Sequence, residues 1–305
     1  MTDNNKKPLR RMCGASEAHA RLCEEHPDFR VNRGKIHADT ETMIRSGTAF
    51  RRSKQGPVTI TVVVHVVYHD ALGNISDAQI LSQIDALNRD YRAANVDKSK
   101  TPACWSGLVA DTGIQFVLAT VHPQGAATTG VTRTQTTMLS FSTNDDVKFS
   151  MRGGADAWPT DKYLNLWVCD LGNGLLGYAQ FPGGPADTDG VVILNSAFGT
   201  IGSAASPFDL GRTAVHEVGH WLNLNHIWGD TSDCTGTDHV PDTPGAQLPN
   251  YNKPVFPHVT CTNGPNGDMF MNYMDYVDDD SMVMFTTGQS ARMQATLAGP
   301  RSSIG

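Results

Sequence analysis

His216-Glu217-Val218-Gly219-His220-Trp221-Leu222-Asn223-Leu224-Asn225-His226 is the stretch on which the reading of this chain turns. In a helix, His216 and His220 stand about one turn apart on the same face, so both imidazoles can reach one metal ion. Glu217 follows the first histidine and points beside such an ion rather than at it, which suits a general base acting on metal-bound water. His226 lies six residues beyond His220. A continuing helix would carry it off the metal face, so the helix has to stop near residue 223 and the chain has to bend back. Asn223 can stop it, because asparagine is second only to glycine in tolerating the left-handed conformation. Three neutral imidazoles leave a fourth zinc position open, as a catalytic site requires. A structural zinc fills all four, typically with cysteines.

The 305 residues around this stretch suffice for a sizeable core in one or two domains. A net charge of −7 argues against a general nucleic-acid binder. Basic residues gather early, at Lys6, Lys7, Arg10, Arg11, Arg45, Arg51, Arg52 and Lys54. No apolar run approaches the ~20 residues of a membrane span, so no membrane partner is expected. No apolar segment follows residues 1–7, so no signal peptide is visible. The cysteines form no C-x-x-C pair, which speaks against a second, cysteine-based zinc site. Cys234 and Cys261 bracket a loop rich in proline, glycine and asparagine. A disulfide there would suit an oxidising compartment, with two free thiols the alternative. The pairing of Cys104 and Cys169 stays open.

Residues 1 to about 55 are basic, poor in large apolar side chains, and end in an exposed-looking stretch of the kind proteases cut. The β-branched residues 58–68 predict a buried strand. Ser76 and Gln79 have capping-box spacing and open a helix to about residue 93, with Ile80, Ile84, Leu87 and Tyr91 on one face. Further strands are expected at 114–121, 163–170 and 191–195, a short helix at 144–151, the metal helix at 212–222 and a closing helix at 287–297. The glycine-rich residues 171–184 lack the Lys-Ser/Thr pair of a phosphate loop and read as an edge strand with turns. The sum is an α/β architecture with a cleft beside a sheet edge.

Downstream, Asn272-Tyr273-Met274-Asp275-Tyr276 is a tight, methionine-centred turn candidate. Together with the zinc motif and the segment from Tyr163 to Asp170 followed by Leu175-Leu176-Gly177-Tyr178-Ala179-Gln180-Phe181-Pro182, it gives a likeness over about residues 57–300. On these residues the chain resembles the metzincin clan of zinc endopeptidases and, within it, the small microbial members of the pappalysin family. The resemblance implies a twisted, mostly parallel five-stranded sheet with two long helices, a zinc cleft at the sheet edge, and a loop-rich C-terminal subdomain carrying the Met-turn. It implies a pro-segment over 1–52 and a catalytic domain over 53–305, divided near residue 226. Zinc would be held by His216, His220 and His226, with Met274 as the floor beneath them. Glu217 would be the base and Tyr276 the partner of the oxyanion. The family usually has glycine where this chain has Asn223.

Further roles follow from the same resemblance. Asp279 would line the pocket for the side chain just after the scissile bond and select arginine, then lysine. Leu176, Gly177 and Tyr178 on the edge strand would take substrate as an added antiparallel strand. The oxygen-rich loop holding Asp230, Asp233, Thr235, Asp238, Asp242 and Thr243 would carry one or two structural calcium ions. Within the pro-segment, Cys13 is the first choice to block the zinc, Cys23 the second and Asp39 the third. The expected protein is a secreted, latent zinc endopeptidase, acting on peptides and proteins, restrained by its own pro-segment and maturing itself near Phe50–Arg51. A catalytically silent metal-containing binding module and a zinc hydrolase of non-peptide substrates are the competing readings.

Overall fold

The computed structural model describes residues 10–47 and 56–304. Its organising element is the strand β1 (Val58–Tyr68), whose β-branched run is buried on both faces, as a strand inside a covered parallel sheet must be. Along one side β1 pairs, end to end, with β2 (Ile114–Leu118) and β3 (Val131–Gln135): residues 58–62 meet the first and 64–68 the second. On its other side lies β4 (Leu164–Cys169). Outward from there come β6 (Val191–Leu194) and the short edge strand β5 (Gly177–Ala179), which alone in this sheet runs antiparallel. Six strands thus occupy five positions, in the twisted, mostly parallel arrangement expected. The strand β3 is legible only in the structure, because its Val-Thr-Arg-Thr-Gln sequence is half exposed and shows no apolar alternation.

Helices pack on this sheet. In α3 (Asp77–Tyr91), Ser76 Oγ accepts from Gln79 N at 3.2 Å, and Ile80, Ile84, Leu87 and Tyr91 enter the core. Each such burial stabilises by about 1.5–3 kcal/mol. The Tyr91 hydroxyl donates to Val215 O at 3.1 Å, locking α3 to the central helix α4 (Arg212–Trp221), every residue of which is buried. Residues 227–286 carry little regular structure beyond one pair of two-residue strands, β7 (Tyr251–Asn252) and β8 (Tyr276–Val277). A Cys234–Cys261 disulfide pins that region. The last helix, α5 (Thr287–Ala298), starts with a complete Thr286/Gln289 capping box. Residues 144–151 form two 3-10 turns rather than an α-helix, stopped by Gly153 in the left-handed region.

The N-terminal segment is mostly helical: α1 (Ala15–Glu25) and α2 (Pro27–Arg45). Between them they bury only Ala15, Ala18, Leu22, Phe29 and Thr40, too little for a core of their own. They lie instead against β5 and α5 of the body. The expected processing point at Phe50–Arg51 lies outside the described residues. Among the described residues, no helix is long and apolar enough to cross a membrane.

Candidate active site

The site is built on the C-terminal end of α4. Asn223 takes a left-handed φ of 75°, its N–H returns to His220 O at 2.8 Å, and the N–H of Leu224 returns to Gly219 O at 2.9 Å. These are the two hydrogen bonds of a Schellman ending. Other carbonyls at this end are met by guanidinium groups: Arg301 Nε donates to Trp221 O at 2.8 Å and Arg292 Nε to Asn223 O at 2.7 Å. The chain therefore turns sharply and brings His226 back beneath the helix. Met274 packs from below, in a turn closed by Asn272 Oδ1 accepting from Met274 N at 2.9 Å. A Cβ at position 219 would stand 2.5 Å from Met274 Sδ, so a side chain here requires Met274 to shift where helix and turn touch.

Three imidazoles converge here. The Nε2 atoms of His216, His220 and His226 lie 3.1, 3.0 and 3.3 Å apart in pairs. Ligands on a tetrahedral zinc with bonds of about 2.0–2.1 Å stand roughly 3.3–3.4 Å apart, so the spacing fits that ion closely. Each Nδ1 faces an acceptor: Tyr273 O at 2.7 Å, Leu224 O at 2.8 Å and Asp230 Oδ1 at 2.6 Å respectively. The ring protons belong on those Nδ1 atoms, which leaves three Nε2 lone pairs aimed at one buried point. Burial and the neighbouring imidazoles push His216 and His220 far below the usual histidine range, keeping them neutral. Such a convergence of lone pairs is repulsive until a cation takes them up. The His226 ring is further fixed by stacking on Trp228, with centroids 4.3 Å apart.

The remaining side chains ring this point. Glu217 is buried beside it, and desolvation raises its carboxyl to about 8. Cys13 belongs to the same cluster as the three histidines, and its Sγ donates to Glu217 Oε2 at 3.4 Å. The Tyr276 hydroxyl donates to Cys13 O at 3.4 Å, with its ring 4.9 Å from that of His226. Residues 12–14 lie along the outer edge of β5 in parallel: Leu176 N donates to Met12 O and Gly14 N to Gly177 O, both at 2.9 Å. Gly177 has to be glycine, since a Cβ there would meet Val192 O at 2.8 Å and Glu217 Cγ at 3.0 Å. Tyr178 points away from this edge into the smaller core, against Trp167 and Val192.

Asp279 is fully buried at the N-terminal end of α4, where its Oδ2 accepts from Leu210 N at 2.8 Å and Arg212 N at 3.3 Å. Its Oδ1 holds Nη2 of Arg11 at 2.5 Å. Arg11 also donates to Thr213 Oγ1 at 3.1 Å and Val277 O at 3.2 Å, and its guanidinium lies over the Phe208 ring. Arg11 forms no motif of its own. Its signal is its position two residues before Cys13, once Asp279 is read as an arginine pocket.

Other expected residues are not drawn together. Cys23 sits beside His19, 3.7 Å from its Nε2, and Asp39 is exposed on α2, so neither reaches the histidines. In the acidic loop, Asp230 serves His226, and Asp242 accepts from Thr286 Oγ1 and Gly288 N at the start of α5. Asp233 bonds to Thr235 at the exposed surface, whereas Asp238 is buried against Thr243. Cys104 and Cys169 are unpaired thiols, the first exposed and the second buried.

Comparison with known proteins bears on this geometry. The family model of peptidase family M43, described as pregnancy-associated plasma protein-A, matches residues 146–298. An extracellular metalloprotease of Pyricularia oryzae is 34% identical over 300 residues, covering 94% of this chain and 88% of that protein. Among solved structures, a Tannerella forsythia promirolysin mutant superposes with a TM-score of 0.86 at 46% identity, over 96% of both chains. Mature mirolysin of the same organism, in complex with a cleaved peptide, superposes with a TM-score of 0.76 at 52% identity, over 78% of this chain and 90% of that one.

Proposed function

The chain belongs to the pappalysin family, peptidase family M43, and is a metalloendopeptidase; from that premise we propose that it is made latent by residues 1–52, cuts before arginine and matures by its own cut near Phe50–Arg51. One observation carries the reading: Arg11 fills the Asp279 pocket while Cys13, two residues on, stands at the three histidines. A substrate cut before arginine runs from the histidines toward the pocket. This segment runs from the pocket toward the histidines, parallel to β5, so it supplies the preferred side chain with the backbone reversed. An occupant of that polarity binds without presenting a scissile bond to Glu217. The similarity to a proenzyme over nearly the whole chain, and to a mature enzyme over a smaller share, supports the same division into residues 1–52 and 53–305.

A zinc ion held by His216, His220 and His226 supplies the Lewis acidity that polarises a peptide carbonyl and acidifies water. Glu217, buried beside that point, takes the proton of the attacking water and passes it to the leaving amine. The Tyr276 hydroxyl, released from Cys13 O, donates to the oxygen on which negative charge develops. Leu176 N and Gly177 O pair with the substrate backbone as an added antiparallel strand. Asp279 accepts the guanidinium of the residue after the scissile bond and discriminates against lysine, which lacks the planar fork. A structural calcium in the loop around Asp238 belongs to the same proposal. Its support is a buried oxygen pair there, Thr243 Oγ1 donating to Asp238 Oδ2 at 2.7 Å, with burial raising the Asp238 carboxyl to about 7. Secretion is proposed from relatives named extracellular metalloproteases and from the Cys234–Cys261 disulfide.

A peptide library incubated with the processed chain tests this directly, with and without a zinc chelator and beside Glu217→Gln. Chelator-sensitive cuts before arginine, absent from the variant, are expected. Cuts that ignore arginine would remove the Asp279 role, and an inert processed chain would turn the reading toward a binding module.

A further inference from the structure

Away from the active site, one more cluster among the described residues has the makings of a metal site, and it joins α2 to the loop after the third zinc histidine. His37 and Glu41 lie four residues apart on α2, hence on one face one turn apart. His37 Nε2 and Glu41 Oε1 are 3.1 Å apart. His239 comes from the loop after the third zinc histidine, and its ring centroid lies 4.1 Å from that of His37. One ligand atom from each of the three side chains falls within 4.8 Å of the others. His239 is held in place by a left-handed φ of 62° and by its N–H donating to Thr237 Oγ1 at 3.0 Å. The cluster opens to solvent, with the His37 and Glu41 side chains 32% and 45% exposed, so an ion can enter and keep water in its remaining positions.

We infer that His37, Glu41 and His239 form a second, lower-affinity site for a divalent transition metal such as zinc, and that an ion bound there clamps α2 to the catalytic domain. Two imidazoles and one carboxylate are a recurrent catalytic-type zinc donor set, and they differ from the all-oxygen set that calcium requires. Burial, with neighbouring positive charge, lowers both histidines below their usual range, so they are neutral ligands at neutral pH. The Arg292 guanidinium opposes the ion: its Nη2 lies 3.4 Å from His37 Nδ1. That contact is long, and Arg292 keeps its stronger bond to Asn223 O at 2.7 Å if His37 turns to the metal. The residual repulsion sets this site well below the buried three-histidine centre in affinity.

The clamp rests on the reading of residues 1–52 as a removable pro-segment. Because the site exists only while α2 is docked, free zinc at about ten times its Kd should lower the undocked population by about tenfold. The experiment uses the full chain. Zinc content after equilibrium dialysis is measured for Glu217→Gln, which blocks self-cutting, alone and combined with His239→Ala or Glu41→Gln. A second, weaker zinc equivalent is expected, lost in both combined variants while the tight one stays. A single equivalent throughout, or a second one that survives both substitutions, overturns the site. In the chain with Glu217 intact, which can cut itself, added zinc should slow maturation about tenfold, whereas His239→Ala should be insensitive, which separates the clamp from general inhibition by excess zinc. Equal slowing in both chains overturns the clamp. A chain fully active without any processing overturns the pro-segment reading itself, whatever its zinc content.

Discussion

Asn223 Oδ1 accepts a hydrogen bond from Arg33 Nη1 at 2.6 Å, so the residue that bends the chain out of the zinc helix is also a docking post for α2. Its Nδ2 faces Thr40 Oγ1 at 3.4 Å, and Arg33 lies 4.5 Å over the ring of Phe181. Glycine at this position would bend the chain equally well and hold nothing. In Asn223→Gly, relief of the left-handed conformation offsets about 1 kcal/mol or less. Loss of the charge-assisted bond costs docking about 1.5–3 kcal/mol, roughly tenfold or more in the undocked population. The variant is expected to melt close to wild type and to mature faster. Comparing melting curves with the lag before activity appears checks both halves, and an unchanged lag would rule out the docking role.

Asp279 distinguishes substrates by charge. Replacing it with asparagine should lower kcat/KM for peptides with arginine after the scissile bond by about 2–5 kcal/mol, on the scale of a buried charge pair losing one partner. Peptides with an uncharged residue there should change far less. Matched peptide pairs give the ratio directly; equal losses on both would point to a folding defect instead of a pocket.

Cys13 and Arg11 hold the segment at opposite ends of one short stretch, one at the histidines and one at Asp279. Arg11→Ala leaves the Asp279 carboxylate buried and unpaired, a change of about 3–5 kcal/mol. Its full-length form should therefore lose latency more completely than Cys13→Ser. Early cleavage of a reporter peptide, before any processing is visible on a gel, is the measurement. Tight latency in Arg11→Ala would show that the thiol suffices.

Gly219 is where helix α4 rides on Met274. Adding one methyl in Gly219→Ala forces the 2.5 Å clash to relax, at about 1–3 kcal/mol of overpacking. A lower melting temperature and weaker zinc retention are expected together, because the same turn carries the carbonyl that orients His216. A stable, zinc-replete variant would mean that the turn has room to move.

Asp230 orients His226 through its Nδ1 proton. Asp230→Asn keeps the shape and removes the charge, so zinc affinity should fall roughly 10- to 100-fold, as for other groups behind a metal ligand. Competition with a chromogenic chelator reads this out.

What the sequence determined by itself are the features written in short-range spacing. The four-residue step from His216 to His220, the helix cap at Ser76 and the β-branched run of β1 each act over one or two turns or along one strand; the Gln79 side chain does not close a capping box there but bonds to Asn195 O, Phe198 O and Ser203. The bend at Asn223 follows from the six-residue step to His226, since no continuous helix satisfies it. Tertiary structure alone decided the rest. Arg11 meets Asp279 across 268 residues of chain, and Arg33 meets Asn223 across 190. Neither residue carries a local pattern. The helices α1 and α2 were hidden for a related reason: with few apolar residues to mark a face, they are held by a surface that the rest of the chain supplies. Local propensity and periodicity reach only as far as a hydrogen-bonded turn, whereas these pairings depend on how the sheet edge and the zinc helix pack together to form the cleft.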